Sequence, residues 1–261
     1  MDPLVVATFA VVALFEIVVP LALGYWIVKR FGLSWRVFLL GALFFIIVQV
    51  VHTPLVLVTQ TPLYLALLPF GTTTALAALA VYLGLMAGLF EEVGRYLVYR
   101  YLFRRQEIPL TRENGLLFGT GWGGVESMIV ALLVLTSMLS YIAITSDGSM
   151  LFLPDDPAVQ AEIEALRALT PLDILPGLAE RMMTIVLHIA WSLMVLASVV
   201  YGRKALLALA VIWHAAVDAI AVYLAPTQGI LVTEAAVFVF AVIGVAYILR
   251  EWRRMGVRAA S

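Results

Sequence analysis

The chain of 261 residues contains no cysteine, which excludes disulfides, iron–sulfur clusters, thiolate zinc sites and cysteine nucleophiles. Charge is almost as scarce. Asp, Glu, Lys and Arg make up 13% of the residues, where a soluble globule carries roughly 25%. A chain this poor in charge cannot wet its own surface, and a net charge of −1 offers no basic field to a nucleic acid. Lysine is confined to Lys29 and Lys204. What the chain has in excess is apolar: 64% of residues are hydrophobic, and the mean hydropathy is +1.05. A soluble enzyme and a disordered chain are both excluded. What remains is an all-α polytopic membrane protein, because an open strand edge cannot be satisfied in lipid.

A span needs about 20 apolar residues. Seven segments qualify, at roughly 4–28, 37–59, 75–99, 115–143, 176–201, 205–224 and 229–249. Residues 4–28 read as a first span and not as a cleavable signal, since no polar n-region precedes them. Basic residues are segregated. Lys29, Arg30 and Arg36 follow the first span, and Arg100, Arg104, Arg105 and Arg112 follow the third. Arg203 and Lys204 follow the fifth, and Arg250, Arg253, Arg254 and Arg258 follow the seventh. The other side holds Arg167 and Arg181, so the count is thirteen against two. Positive-inside counting places the N-terminus outside and the C-terminus in the cytosol. The expected location is a cell membrane, of the bacterial or archaeal cytoplasmic type.

One integral membrane domain, 1–261, is expected, with its chemistry between residues 85 and 220. Residues 60–74 are apolar with two prolines and are expected in the interface. Residues 144–175 form an outer segment. Within it, 157–170 place Val159, Ile163 and Leu166 at helical spacing beside Glu162, Glu164 and Arg167, the pattern of a short amphipathic helix.

An ionisable group inside hydrocarbon costs a few kcal/mol, so each is a functional hypothesis by default. The candidates are Glu91, Glu92, Arg95, Glu126, His188, His214 and Asp218, with Glu16, His52 and Glu234 as weaker ones. Glu91 lies nine residues before Arg100 and Glu126 eleven after Gly115. His214 lies ten beyond Lys204 and His188 fifteen before Arg203. At 1.5 Å per residue these groups, on four helices, fall roughly 13–22 Å from the cytosolic edge. Unrelated polar residues would scatter in depth, whereas a shared layer indicates one site. Arg95 is i,i+4 from Glu91 and i,i+3 from Glu92, so it can pair with either. Adjacent glutamates point about 100° apart, so at most one faces the bundle centre. His214 and Asp218 share a face, as do Trp122 and Glu126, and Glu180, Thr184, His188 and Ser192 form one stripe. The competing reading is a polar network that pins helix packing or lines a transport path.

Known intramembrane hydrolase signatures are absent: the chain has no HExxH, no GxSxG and no GxGD. What it has is Glu91-Glu92-Val93-Gly94-Arg95, an EExxR; Trp122-Gly123-Gly124-Val125-Glu126 within FGTGWGGVE; Glu180-Arg181 ahead of His188; and His214-Ala215-Ala216-Val217-Asp218, an HxxxD. In that order the motifs resemble the clan of CAAX prenyl proteases, bacterial CPBP proteins, PrsW and YhfC, and the YhfC family in particular. Where YhfC proteins read GHGGxE, this chain has Trp122 in place of the histidine. PrsW-type sequences also carry an aromatic there.

The resemblance implies an intramembrane endopeptidase acting on membrane-associated proteins or peptides. Glu91 or Glu92 would be the base, and the one bound to Arg95 a structural partner. His188 and His214 would bind water or the oxyanion, Asp218 would orient His214, and Glu126 would be a further water ligand. It leaves open whether His188, His214 and Glu126 hold a metal such as zinc. Trp122 weighs against one, because an indole donates one N–H and offers no lone pair. Two other classes compete: a non-catalytic relative that binds or chaperones membrane proteins, and a transporter or proton relay. The uninterrupted spans speak against the latter. Substrate identity and oligomeric state are not legible.

Overall fold

The computed structural model describes residues 1–146 and 156–259. Seven helices are long and apolar enough to cross a membrane, and among the described residues there is no strand. The protein is a multi-pass membrane protein. The spans are Pro3–Phe31, Trp35–Phe70, Thr72–Arg105, Arg112–Thr145, Pro171–Val200, Lys204–Gln228 and Ile230–Gly256.

Local chemistry sets the boundaries. Asp2 caps the first span by accepting from the Leu4 N–H at 2.8 Å, with Pro3 at the first helical position. The first span ends where Gly32 turns left-handed at φ 65°. Ser34 and Thr111 cap the second and fourth in the same way as Asp2. The second helix does not stop for an interfacial loop at 60–74. It continues through Pro54 and Pro62 to Leu67, and a single tight turn, Leu68–Phe70, leads into the third span. Each internal proline forfeits one backbone bond, and the apolar run on either side outweighs that loss in lipid.

The fifth span is the axis of the bundle. In its most apolar stretch 78% of residues are buried, far more than in any other span. Around it the third span packs on the sixth, and the first and second pack on the fourth. The third and sixth approach closely because of Gly88, where an added Cβ would sit 2.6 Å from the Val211 carbonyl oxygen. Gly123 plays the same part on the fourth span, where a Cβ would sit 2.8 Å from Cβ of His188. That glycine lets the fifth span bring its histidine against the fourth.

The basic clusters share one end of the bundle. There Phe31 packs on Trp252 at 5.4 Å, and the Arg112 guanidinium lies 4.4 Å from the Trp252 ring. At the other end the Asp2 N–H donates to the Tyr141 hydroxyl at 3.0 Å. The short helix expected after the fourth span is present as Pro157–Arg167, capped by Asp156, and buries Ile163. Residues 147–155 of the expected 144–175 segment lie outside the described residues.

Candidate active site

Third-span geometry separates the two adjacent glutamates. Arg95 is fully buried, and its fork takes both carboxylates: one nitrogen binds Glu92, the other lies 3.1 Å from Oε2 of Glu91. Pairing of this kind is what allows three charged groups to be buried together. Glu92 points away from the cavity. Its Oε1 accepts from Arg95 and lies 2.7 Å from Nδ1 of His214, and it is wholly buried. Glu91 faces the cavity. Its Oε2 accepts from the Trp122 indole N–H at 2.8 Å and from Arg95, while its Oε1 accepts from the Gln49 amide at 3.1 Å. A carboxylate has about four lone-pair sites, so three donors leave Glu91 about one for a water.

Opposite Glu91, Glu126 links the fourth span to the fifth. Its Oε2 lies 2.5 Å from Nε2 of His188, and its Oε1 accepts from Arg181 at 2.9 Å. Arg181 also binds Glu180. The His188 Nδ1 lies 2.6 Å from an Arg95 nitrogen. Guanidinium has no acceptor, so Nδ1 must accept, and the neutral ring carries its proton on Nε2, facing Glu126. His214 lies flat on Trp191, with ring centroids 3.9 Å apart and planes 8° from parallel. Its Nε2 is 3.4 Å from Asp218, so both ring nitrogens face carboxylates.

These groups enclose a cavity of about 100 Å³ between the third, fourth, fifth, sixth and seventh spans. At about 30 Å³ per water it has room for a few molecules. Its polar lining includes Glu91, Glu126, Arg181, His188, His214 and Asp218. All seven residues singled out from the sequence therefore belong to one network, with Glu92 and Arg95 supporting it from behind. The weaker candidates stand apart from the cavity lining. Glu16 is buried with neither carboxyl oxygen hydrogen-bonded, Glu234 likewise lacks partners for both oxygens, and His52 binds Gln49.

Two contributors escape a search for ionisable groups, and a third, Arg181, is ionisable but is not among the candidates. Gln49 carries no charge. Trp191 reads as core. Arg181, which the sequence shows in the Glu180-Arg181 motif near the start of the fifth span, lies with its side chain 11% exposed against Glu126. Its spacing of seven residues from His188, two helical turns, is the signal that could have placed it on the same face.

Donor atoms of Glu91, Glu126 and His188 come within 4.8 Å of one another. Two carboxylates and one imidazole are a zinc-type donor set, but it differs from the expected one, with Glu91 in the place of His214. Hydrogen bonding runs against a metal there. Nδ1 of His188 is taken by a donor-only group and Nε2 carries the proton, whereas a ligating histidine binds through one nitrogen and donates from the other. As arranged, these residues do not fit a resident metal.

The chain matches the model of a family described as "YhfC intramembrane metalloprotease" over residues 15–241. It is 32% identical over 212 residues to the "Uncharacterized membrane protein YhfC" of Bacillus subtilis (strain 168), covering 75% of this chain and 76% of that one. No solved structure matches.

Proposed function

The chain belongs to the YhfC intramembrane metalloprotease family, and we propose that it is an endopeptidase that hydrolyses membrane-associated proteins or peptides within the bilayer. One observation carries this reading: Glu91, with a free lone pair, faces the Glu126–His188 pair across a partly open polar cavity lined by five of the spans. A water held by Glu91 gives up a proton to that carboxylate as its oxygen attacks the scissile carbonyl carbon. The N–H of His188 and the guanidinium of Arg181 line the cavity and would serve a developing oxyanion by turning from Glu126, which both bind in the resting site. When the C–N bond breaks, Glu91 returns its proton to the leaving amine. Asp218 orients His214, and Glu92 holds both His214 and Arg95 in place. No step is routed through a metal.

Purified wild type, Glu91→Gln and Glu126→Gln proteins tested against a library of membrane peptides will decide it. Cleavage by wild type alone supports the proposal, and equal products from all three sink it. Zinc supplies a separate check. The hydrogen-bonded His188 leads us to expect a zinc content well below one per chain and a melting temperature unmoved by added zinc; a stoichiometric ion would overturn that reading.

Orientation is part of the same proposal, since the basic end would face the cytosol. Cysteines placed at the exposed positions Arg105 and Arg253 should react only after the membrane is permeabilised, and one at Leu172, 77% exposed, should react in intact cells. The reverse pattern would invert the protein.

A further inference from the structure

Gln49 lies on the second span, and the cavity does not reach that span. Its Oε1 takes two donors, Nδ1 of His52 at 3.0 Å and the Thr53 hydroxyl at 3.0 Å. The Glu91 carboxylate, which can only accept, fixes the amide, and Oε1 is left to the imidazole nitrogen and the hydroxyl. The NH₂ end is thereby turned to Oε1 of Glu91 at 3.1 Å. The reversed amide would set its oxygen against a carboxylate, with no proton between them. His52 in turn rests on Phe90, ring centroids 5.3 Å apart, and its other nitrogen is buried without a hydrogen bond. A glutamine and a histidine at a helix seam in lipid are costly to bury. The contact they secure is with the carboxylate of Glu91, which lines the cavity and is read as the base.

We propose that Gln49, oriented by His52 and Thr53, is a positioning residue for Glu91. It holds Oε1 from the side opposite the cavity, as Trp122 and Arg95 hold Oε2, so that the remaining lone pair of the base is aimed at the water. The inference rests on Glu91 being that base. His52 hydrogen-bonds to Gln49 and is placed to act on Glu91 through that amide.

The test uses Gln49→Leu, His52→Ala and the double variant in purified full-length protein, with a cleaved membrane peptide as substrate. Gln49→Leu keeps similar bulk and is expected to lower kcat roughly 10- to 100-fold, the factor of one hydrogen bond to a charged group, with KM unchanged. His52→Ala should lower kcat less, and should cost nothing further in the Gln49→Leu background. An unchanged kcat, a loss confined to KM, or losses that multiply in the double variant would overturn the proposal. Thermal unfolding of Gln49→Leu, Glu91→Gln and their combination, without substrate, separates this from failure of the protease reading. Coupled losses of stability support the positioning contact even if wild type cleaves nothing, and strictly additive ones refute it.

Discussion

Glu91→Gln is expected to lower membrane-peptide cleavage by about 10²–10⁴-fold, the usual contribution of a positioned general base. The protein should stay folded. The replacement amide keeps an oxygen to accept from Trp122 and Arg95, at 2.8 and 3.1 Å in the wild type. Glu92→Gln should behave in the opposite way, although its neighbour differs by one position in the chain. Glu92 is not itself one of the cavity-lining residues, and it serves Arg95 and His214 together. Removing its charge leaves the buried Arg95 with Glu91 as its remaining carboxylate partner and weakens the hold on His214, a loss below the about 3–5 kcal/mol of a fully broken buried pair. The expected result is a melting temperature lowered by several degrees and activity that falls with the folded fraction. Parallel melting curves and kcat values on the two variants are decisive: a Glu92 variant that is stable but inactive would exchange the two roles.

That exchange marks the limit of what the sequence can say about the site. Helical spacing puts both glutamates within reach of Arg95 and tells that only one can face inwards. Which one depends on how the third span is rotated about its axis, and that rotation is set by Gly88 against the backbone of the sixth span at Val211. Depth was more legible than rotation. A rise of 1.5 Å per residue places Glu91, Glu126, His188 and His214 at one level from residue numbers alone, and the structure joins them in one network. The seven spans were equally legible, because length and apolarity suffice in lipid. Their ends were not. Residues 60–67 resemble an interfacial loop through Pro62, yet they stay helical because each polar backbone group near lipid still needs a partner. Gln49 was hidden for another reason: a search for charge passes over an amide, and only the contact with Glu91 reveals its use.

Trp122 is the position at which the sequence departs from the pattern it resembles, and the structure gives it a definite occupation. The indole is fully buried, edge-on to Phe45 at 5.9 Å, with the Arg95 guanidinium 4.4 Å from its ring. Its N–H is spent on Glu91. Trp122→His is therefore expected to destabilise the protein. The smaller ring leaves part of the indole volume empty, and truncating a buried tryptophan costs up to about 3–5 kcal/mol. It should gain neither zinc nor activity, because the guanidinium that occupies Nδ1 of His188 stays in place and keeps that histidine from ligating. Trp122→Phe supplies the comparison. It keeps most of the aromatic packing and removes only the N–H, so Glu91 loses one charge-assisted bond, worth about 1.5–3 kcal/mol. Its effect should appear in kcat more than in melting temperature. Zinc content, melting temperature and turnover of one membrane peptide, measured on wild type and both variants, separate the possibilities. If Trp122→His binds zinc and cleaves faster than wild type, the indole stands where a ligand belongs, and the hydrogen bonding at His188 does not keep a metal out.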